Sequence, residues 1–136
     1  MIKRVVVIAG CLSLALAIPA SAGSGSVKWY LSANGKISCQ LSSGGALGTL
    51  AYCQTLKPAS SVTLHRNGFA KICKGTRCLG NPPDNAKTLR AGGLAKVGPF
   101  YCKAESSSKI QCVVARLGDG FEVSNTGITK VSLGES

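Results

Sequence analysis

The placement of cysteines constrains this chain more than any other feature of it. Seven occur: Cys11, inside an N-terminal apolar run, and then Cys39, Cys53, Cys73, Cys78, Cys102 and Cys112. The apolar run has the grammar of an export signal. Lys3 and Arg4 precede it, Val5 to Ile18 carries no charge, Pro19 breaks it, and Ala20-Ser21-Ala22 supplies a small-x-small cleavage site. It is too short for a comfortable membrane span, which needs ~20 apolar residues. Residues 1–22 are therefore expected to leave as a secretory signal, taking Cys11 with them. The six cysteines that remain form an even set in an exported chain, which reads as three disulfides.

Two rival uses of the cysteines exist. Ile8-Ala9-Gly10-Cys11 has the shape of a lipobox, which would make Cys11 a lipidated first residue. Against it, Leu12-Ser13-Leu14-Ala15-Leu16 follows where a polar tether belongs. Zinc is the other rival, but Cys73-x4-Cys78 and Cys102-x9-Cys112 are loosely spaced for it, and no His is near either pair. No metal and no cofactor are expected.

Between the cysteines, short β-type runs alternate with turn signals. Residues 23–26 (Gly-Ser-Gly-Ser) make a flexible lead-in, and 27–136 read as one domain. Asn34-Gly35 separates Val27–Ala33 from Lys36–Leu41, and Asn67-Gly68 separates Ser61–Arg66 from Phe69–Cys73. Asn-Gly favours a type I′ hairpin turn, because both central residues there need positive φ. Gly75-Thr76 fits a type II′ turn, Ser106-Ser107-Ser108 joins Phe100–Glu105 to Lys109–Leu117, and Gly118-Asp119-Gly120 and Asn125-Thr126-Gly127 mark the last turns. The fold class expected is mainly β: an antiparallel meander forming a small sandwich or barrel, disulfide-stapled, with at most one short helix. Asp84 to Ala91 is where that helix would fall, with Asp84 as N-cap. Leu79 to Pro99 reads as the longest loop region.

Six cysteines allow fifteen pairings in principle. The hairpin registers favour one. A three-residue loop at Ser106–Ser108 sets Cys102 opposite Cys112. A two-residue turn at Gly75-Thr76 sets Cys73 opposite Cys78, and Cys39 and Cys53 remain. There is also a faint internal echo: Lys36-Ile37-x-Cys39 and Lys109-Ile110-x-Cys112 each follow a turn. It is too short to claim a repeat architecture.

The residues that suggest hairpins and bridges also carry a likeness. Tyr30-x-Ser32-x-Asn34-Gly35-Lys36-Ile37-x-Cys39 and Ala51-Tyr52-Cys53 stand near the start. Phe100-x-Cys102, Ile110-x-Cys112 and Gly118-x-Gly120-Phe121-x-Val123-Ser124 stand near the end. In these, from Trp29 to Ser124, the chain resembles an uncharacterised family of small secreted cysteine-containing proteins of high-GC Gram-positive bacteria, a domain of unknown function. Ala33 stands where that pattern commonly has Pro, and Asn125 where it often has a basic residue. The resemblance implies export and a cysteine framework, and no activity.

Charge narrows the partners. Loss of Lys3 and Arg4 takes the 16 basic residues to 14, against 5 acidic, a formal charge of +9. Such a balance favours anionic envelope polymers or an acidic protein. The cations are scattered, and no nucleic-acid-binding motif is present. Beyond the signal no transmembrane segment is expected. The densest basic group is His65, Arg66, Lys71, Lys74 and Arg77, gathered by the second hairpin and the Cys73–Cys78 turn. Trp29 is the other binding candidate. In the Asn34-Gly35 register, Tyr30 shares the core face with Ile37, Cys39 and Leu41. Trp29 then shares the other face with Leu31, Lys36 and Ser38. There it serves either as a platform for a sugar or protein or as a residue covered by a second sheet.

Catalytic signals are sparse. His65 is the only histidine, and no nucleophile-elbow motif accompanies it. The acidic residues are Asp84, Glu105, Asp119, Glu122 and Glu135. Asp119 lies in a Gly-Asp-Gly turn, where Asp is ordinary turn chemistry. Expected localisation is secreted or cell-surface. The leading expectation is a non-catalytic binding module for an anionic polymer or partner. A secreted effector, such as an enzyme inhibitor or antimicrobial, comes second, and a small secreted hydrolase third.

Overall fold

The computed structural model describes residues 25–133, so the expected signal, Cys11 and Gly23-Ser24 lie outside the described residues. Eleven strands form two sheets that face each other. The first sheet is a meander of β1 (Ser26–Ser32), β2 (Ile37–Ser43), β3 (Leu50–Leu56), β4 (Ala59–His65) and β5 (Ala70–Lys74). A short strand, β6 (Lys87–Leu89), joins its far edge, parallel to β1. The second sheet is the meander β7 (Leu94–Val97), β8 (Phe100–Ser106), β9 (Lys109–Val114), β10 (Asp119–Ser124) and β11 (Gly127–Ser132). The class is mainly β, as the turn spacing implies, and the architecture is a sandwich of two meanders.

Alternation along each strand explains the packing. Tyr30, Ile37, Cys39, Leu41, Ala51, Cys53, Val62 and Leu64 point from the first sheet into the middle. Val97, Phe100, Cys102, Ala104, Ile110, Cys112, Phe121 and Val123 meet them from the second. Phe100 and Phe121 are wholly buried, each contributing about 1.5–3 kcal/mol by removal from water.

Three disulfides form: Cys39–Cys53 and Cys102–Cys112 within this core, and Cys73–Cys78 at the edge of the first sheet. They are the pairs that the hairpin registers favour. Cys39 lies directly opposite Cys53 across β2 and β3, and Cys102 opposite Cys112 across β8 and β9. These two bridges pack on each other between the sheets, with Cys53 Sγ 3.9 Å from Cys112 Sγ. The sulfurs of Cys39, Cys53 and Cys112 cluster within 4.8 Å, but all three are spent in S–S bonds.

Several local expectations are corrected. Neither Asn-Gly pair is the centre of a two-residue turn. Gly35 N donates to Ser32 O (2.8 Å) and Gly68 N to His65 O (2.9 Å), so each turn closes one residue earlier. Each Asn side chain then accepts from the backbone two residues on, Lys36 N for Asn34 and Phe69 N for Asn67, both at 3.0 Å. That side-chain bond offers the backbone an alternative to the type I′ geometry. Gly35 and Gly68 take the left-handed conformation, with φ of 71° and 88°. In the second hairpin the consequence is a one-residue change of register, setting His65 rather than Arg66 across from Phe69.

Gly75-Thr76 makes no hairpin either. Gly75 (φ 110°) opens a 3-10 turn over Thr76–Cys78, and the chain leaves the sheet. The 84–91 segment is not helical, because Lys87–Leu89 completes the edge of β1 as a parallel strand. The expected long loop therefore contains both β6 and β7. The lead-in ends one residue early, since β1 begins at Ser26. Among the described residues no helix is long and apolar enough to cross a membrane.

Candidate functional site: a groove on the outer face of the first sheet

The register carries one row of side chains straight across the outer face of the first sheet. Trp29 lies opposite Gln40, Gln40 opposite Tyr52, Tyr52 opposite Thr63, and Thr63 opposite Lys71. Strands sit about 4.8 Å apart, so Trp29 and Tyr52 stand about 10 Å apart with Gln40 between them. The second sheet packs on the Tyr30 side, so it does not cover Trp29.

A strap of chain crosses this face instead. After Cys78 the polypeptide passes over the sheet from the β5 edge toward β6 at the other edge. Gln54 is buried beneath it and bonds Gly80 at both ends, taking Gly80 N on Oε1 (2.7 Å) and donating Nε2 to Gly80 O (2.9 Å). The Tyr52 hydroxyl has Cys78 O (2.8 Å) and Gln54 Oε1 (2.7 Å) within reach of its single proton. These bonds explain how polar Gln54 is tolerated at 3% exposure on an outer face.

Strap and sheet together form a groove of about 390 Å³. Trp29, Gln40, Tyr52 and Thr63 form its floor, with Leu47 and Leu50 at one side and Arg77 and Leu79 at the other. Trp29 is half-buried, and Leu47 and Arg77 are exposed. The groove offers aromatic surface, an amide, a hydroxyl and a guanidinium. Lys71 extends the row onto the exposed edge strand. No carboxylate lines it.

The basic cluster expected from the sequence is divided. His65, Lys71 and Arg77 lie on the outer face, Arg77 in the groove itself. His65 stacks on Phe69 with ring centroids 6.1 Å apart. Arg66, in the β4–β5 turn, belongs to a different cleft beside Lys96 and Arg116. Lys74 sits at the opposite end, near Pro58 and Ile128. Gln40, Leu47, Leu50, Tyr52, Thr63 and Leu79 are groove residues that sequence reasoning did not single out. Only Ala51-Tyr52-Cys53 had drawn notice, for its cysteine.

Among the described residues the His65 ring has no hydrogen bond to a Ser, Asp or Glu. Asp119 accepts from Ser132 Oγ (2.7 Å), and Glu122 pairs with Lys109 (3.7 Å). Strand alternation turns Asp119 and Glu122 to opposite faces of β10.

Fold and groove together define a disulfide-stapled two-meander β-sandwich with a basic, aromatic-floored outer face. No protein-family profile, no curated protein and no solved structure matches the chain.

Proposed function

We propose that the protein is a secreted, non-catalytic binding module for an anionic polysaccharide of the cell envelope or its surroundings. One observation carries the reading: Trp29, Gln40, Tyr52 and Thr63 lie in a single row beside the Thr76–Cys78 turn, which adds Arg77. A pyranose ring has an apolar C–H face that stacks on the electron-rich face of an aromatic side chain. Its hydroxyls need amide and hydroxyl partners, and its carboxylate or sulfate needs a cation. The groove holds each of these groups, and its volume falls in the range of small-ligand sites. Export is supported by the Lys3–Ala22 signal pattern, and three disulfides are compatible with an extracellular protein.

Charge alone would make a protein of +9 stick to acidic polymers, so the test uses charge-neutral changes. Retention is compared on immobilised polygalacturonate and on immobilised neutral dextran. Wild type should be held by the first, and high salt should weaken the hold, since exposed charges are screened over ~8 Å at physiological ionic strength. Trp29→Ala and Gln40→Ala should lower affinity about tenfold, with the fold intact by circular dichroism. If both variants bind as wild type does, the groove is not the site.

A further inference from the structure

A second concave site lies at the other end of the β4–β5 hairpin from Lys74, where loops of both sheets meet. Its volume is about 460 Å³, and its walls come from six places in the chain. Ser43 ends β2, Thr49 precedes β3, Arg66 is in the β4–β5 turn, Lys96 is on β7, Gly98-Pro99 form the β7–β8 turn, and Ala115-Arg116 follow β9. Three cations and two hydroxyls therefore line one cleft, and no carboxylate does. Among the described residues the one ion pair is Lys109–Glu122, which is elsewhere. The cleft is built closely. Gly98 has φ of 55°, and a Cβ there would overlap the Ser43 side chain, so the turn lies directly against the end of β2. Ala115 N donates to Pro99 O (2.9 Å), which fixes the segment carrying Arg116 to the same turn.

We infer that this cleft is a binding site for a phosphorylated polyol or sugar, held by its phosphate group. Like charges drawn into one concavity repel, and a bound anion relieves that repulsion. A carboxylate offers two oxygens and one charge, which a single Arg satisfies in bidentate fashion. A phosphate monoester offers three free oxygens and up to two charges, which match two guanidinium or ammonium groups plus hydroxyl donors. The cleft also exceeds what a bare phosphate fills, leaving room for the carbon skeleton attached to it. The site is separate from the Trp29 groove, and its success or failure does not depend on that reading.

The test is a backbone NMR titration of the mature protein with glycerol phosphate, inorganic phosphate, sulfate and acetate, each at one constant ionic strength. Glycerol phosphate should give saturable shifts confined to Ser43, Thr49, Arg66, Lys96 to Gly98 and Ala115-Arg116. It should bind more tightly than inorganic phosphate, and acetate at least tenfold more weakly. A phosphate monoester has its second pKa at about 6, so binding should strengthen from pH 5 to pH 7.5, while sulfate binding stays flat. Arg66→Ala, Lys96→Ala and Arg116→Ala should each weaken it about tenfold or more. Lys57→Ala, an exposed cation in the β3–β4 turn at the opposite end of the first sheet, should leave it unchanged. Shifts spread over all surface lysines, equal affinity for acetate, or folded cleft variants that bind like wild type would overturn the assignment.

Discussion

Gly120 shows how tightly single positions are specified. A Cβ there would overlap Cys112 O and the Val113 Cα of the neighbouring strand. Backbone atoms cannot move aside as a flexible side chain can, so Gly120, which lies in β10 and not in the turn expected at Gly118-Asp119-Gly120, is glycine for reasons of space. Overpacking a core typically costs about 1–3 kcal/mol, occasionally more. Gly120→Ala should lose at least about 2 kcal/mol in urea unfolding, and a loss below about 0.5 kcal/mol would show that β9 and β10 are less closely joined. Tyr30 provides a pH test. Burial pushes its phenol above the usual 10.0, because the anion is disfavoured out of water. Below that value folded and unfolded chains both hold the proton. Above it the unfolded chain releases the proton first, so stability falls as pH rises from about 10 through the folded value. Tyr30→Phe should remove that contribution, giving a shallower alkaline unfolding curve than wild type.

The strap between β5 and β6 is the element on which the groove depends. Its hold on the sheet runs through Gln54, and Leu, one carbon shorter and without an amide, removes both of its bonds to Gly80. Gln54→Leu would leave Gly80 O without its partner and Gly80 N with only the 3.2 Å contact to the Tyr52 hydroxyl. Gly80 is exposed, so its freed groups can turn to water, and the loss is that of the bonds themselves, about 0.5–1.5 kcal/mol each. Amide exchange at Gly80 should quicken well before global unfolding, and saccharide binding should fall with it. Elements like the strap also mark the limit of what is legible in the chain. Hairpins and bridges are local, so Asn34-Gly35, Ser107-Ser108 and their flanking cysteines announce them. The Cys102–Cys112 pairing holds even though the loop is shorter than expected. A two-residue turn at Ser107-Ser108 and an irregularity between Ala104 and Ser106 give the same register as a three-residue loop. Lys87-Thr88-Leu89, by contrast, becomes a strand only because β1 offers it an edge 57 residues upstream, Tyr30 pairing with Lys87. No local pattern carries that information. The groove is hidden for the same reason, since Trp29, Tyr52 and Arg77 meet only once five strands are in register and the strap has crossed them.

At the scale of the molecule, the two meanders divide the work. Their inner faces are joined by Phe100, Phe121 and the stacked Cys39–Cys53 and Cys102–Cys112 bridges, which leaves the outer face of the first sheet free to carry polar and aromatic chemistry. On the proposed reading, the surplus of positive charge, spread over exposed strands and turns, would attract an acidic polymer from a distance, and the groove would then select within it. The chain contains one tryptophan, and it stands in that groove. The most direct measurement is therefore titration of Trp29 fluorescence with oligogalacturonate and with a neutral oligosaccharide of equal length. The anionic ligand should give a saturable change that weakens with salt and is at least tenfold weaker in Arg77→Ala, while the neutral ligand binds far less tightly. An unchanged Trp29 emission at concentrations where the polymer is demonstrably bound would place recognition elsewhere and contradict the assignment of this face.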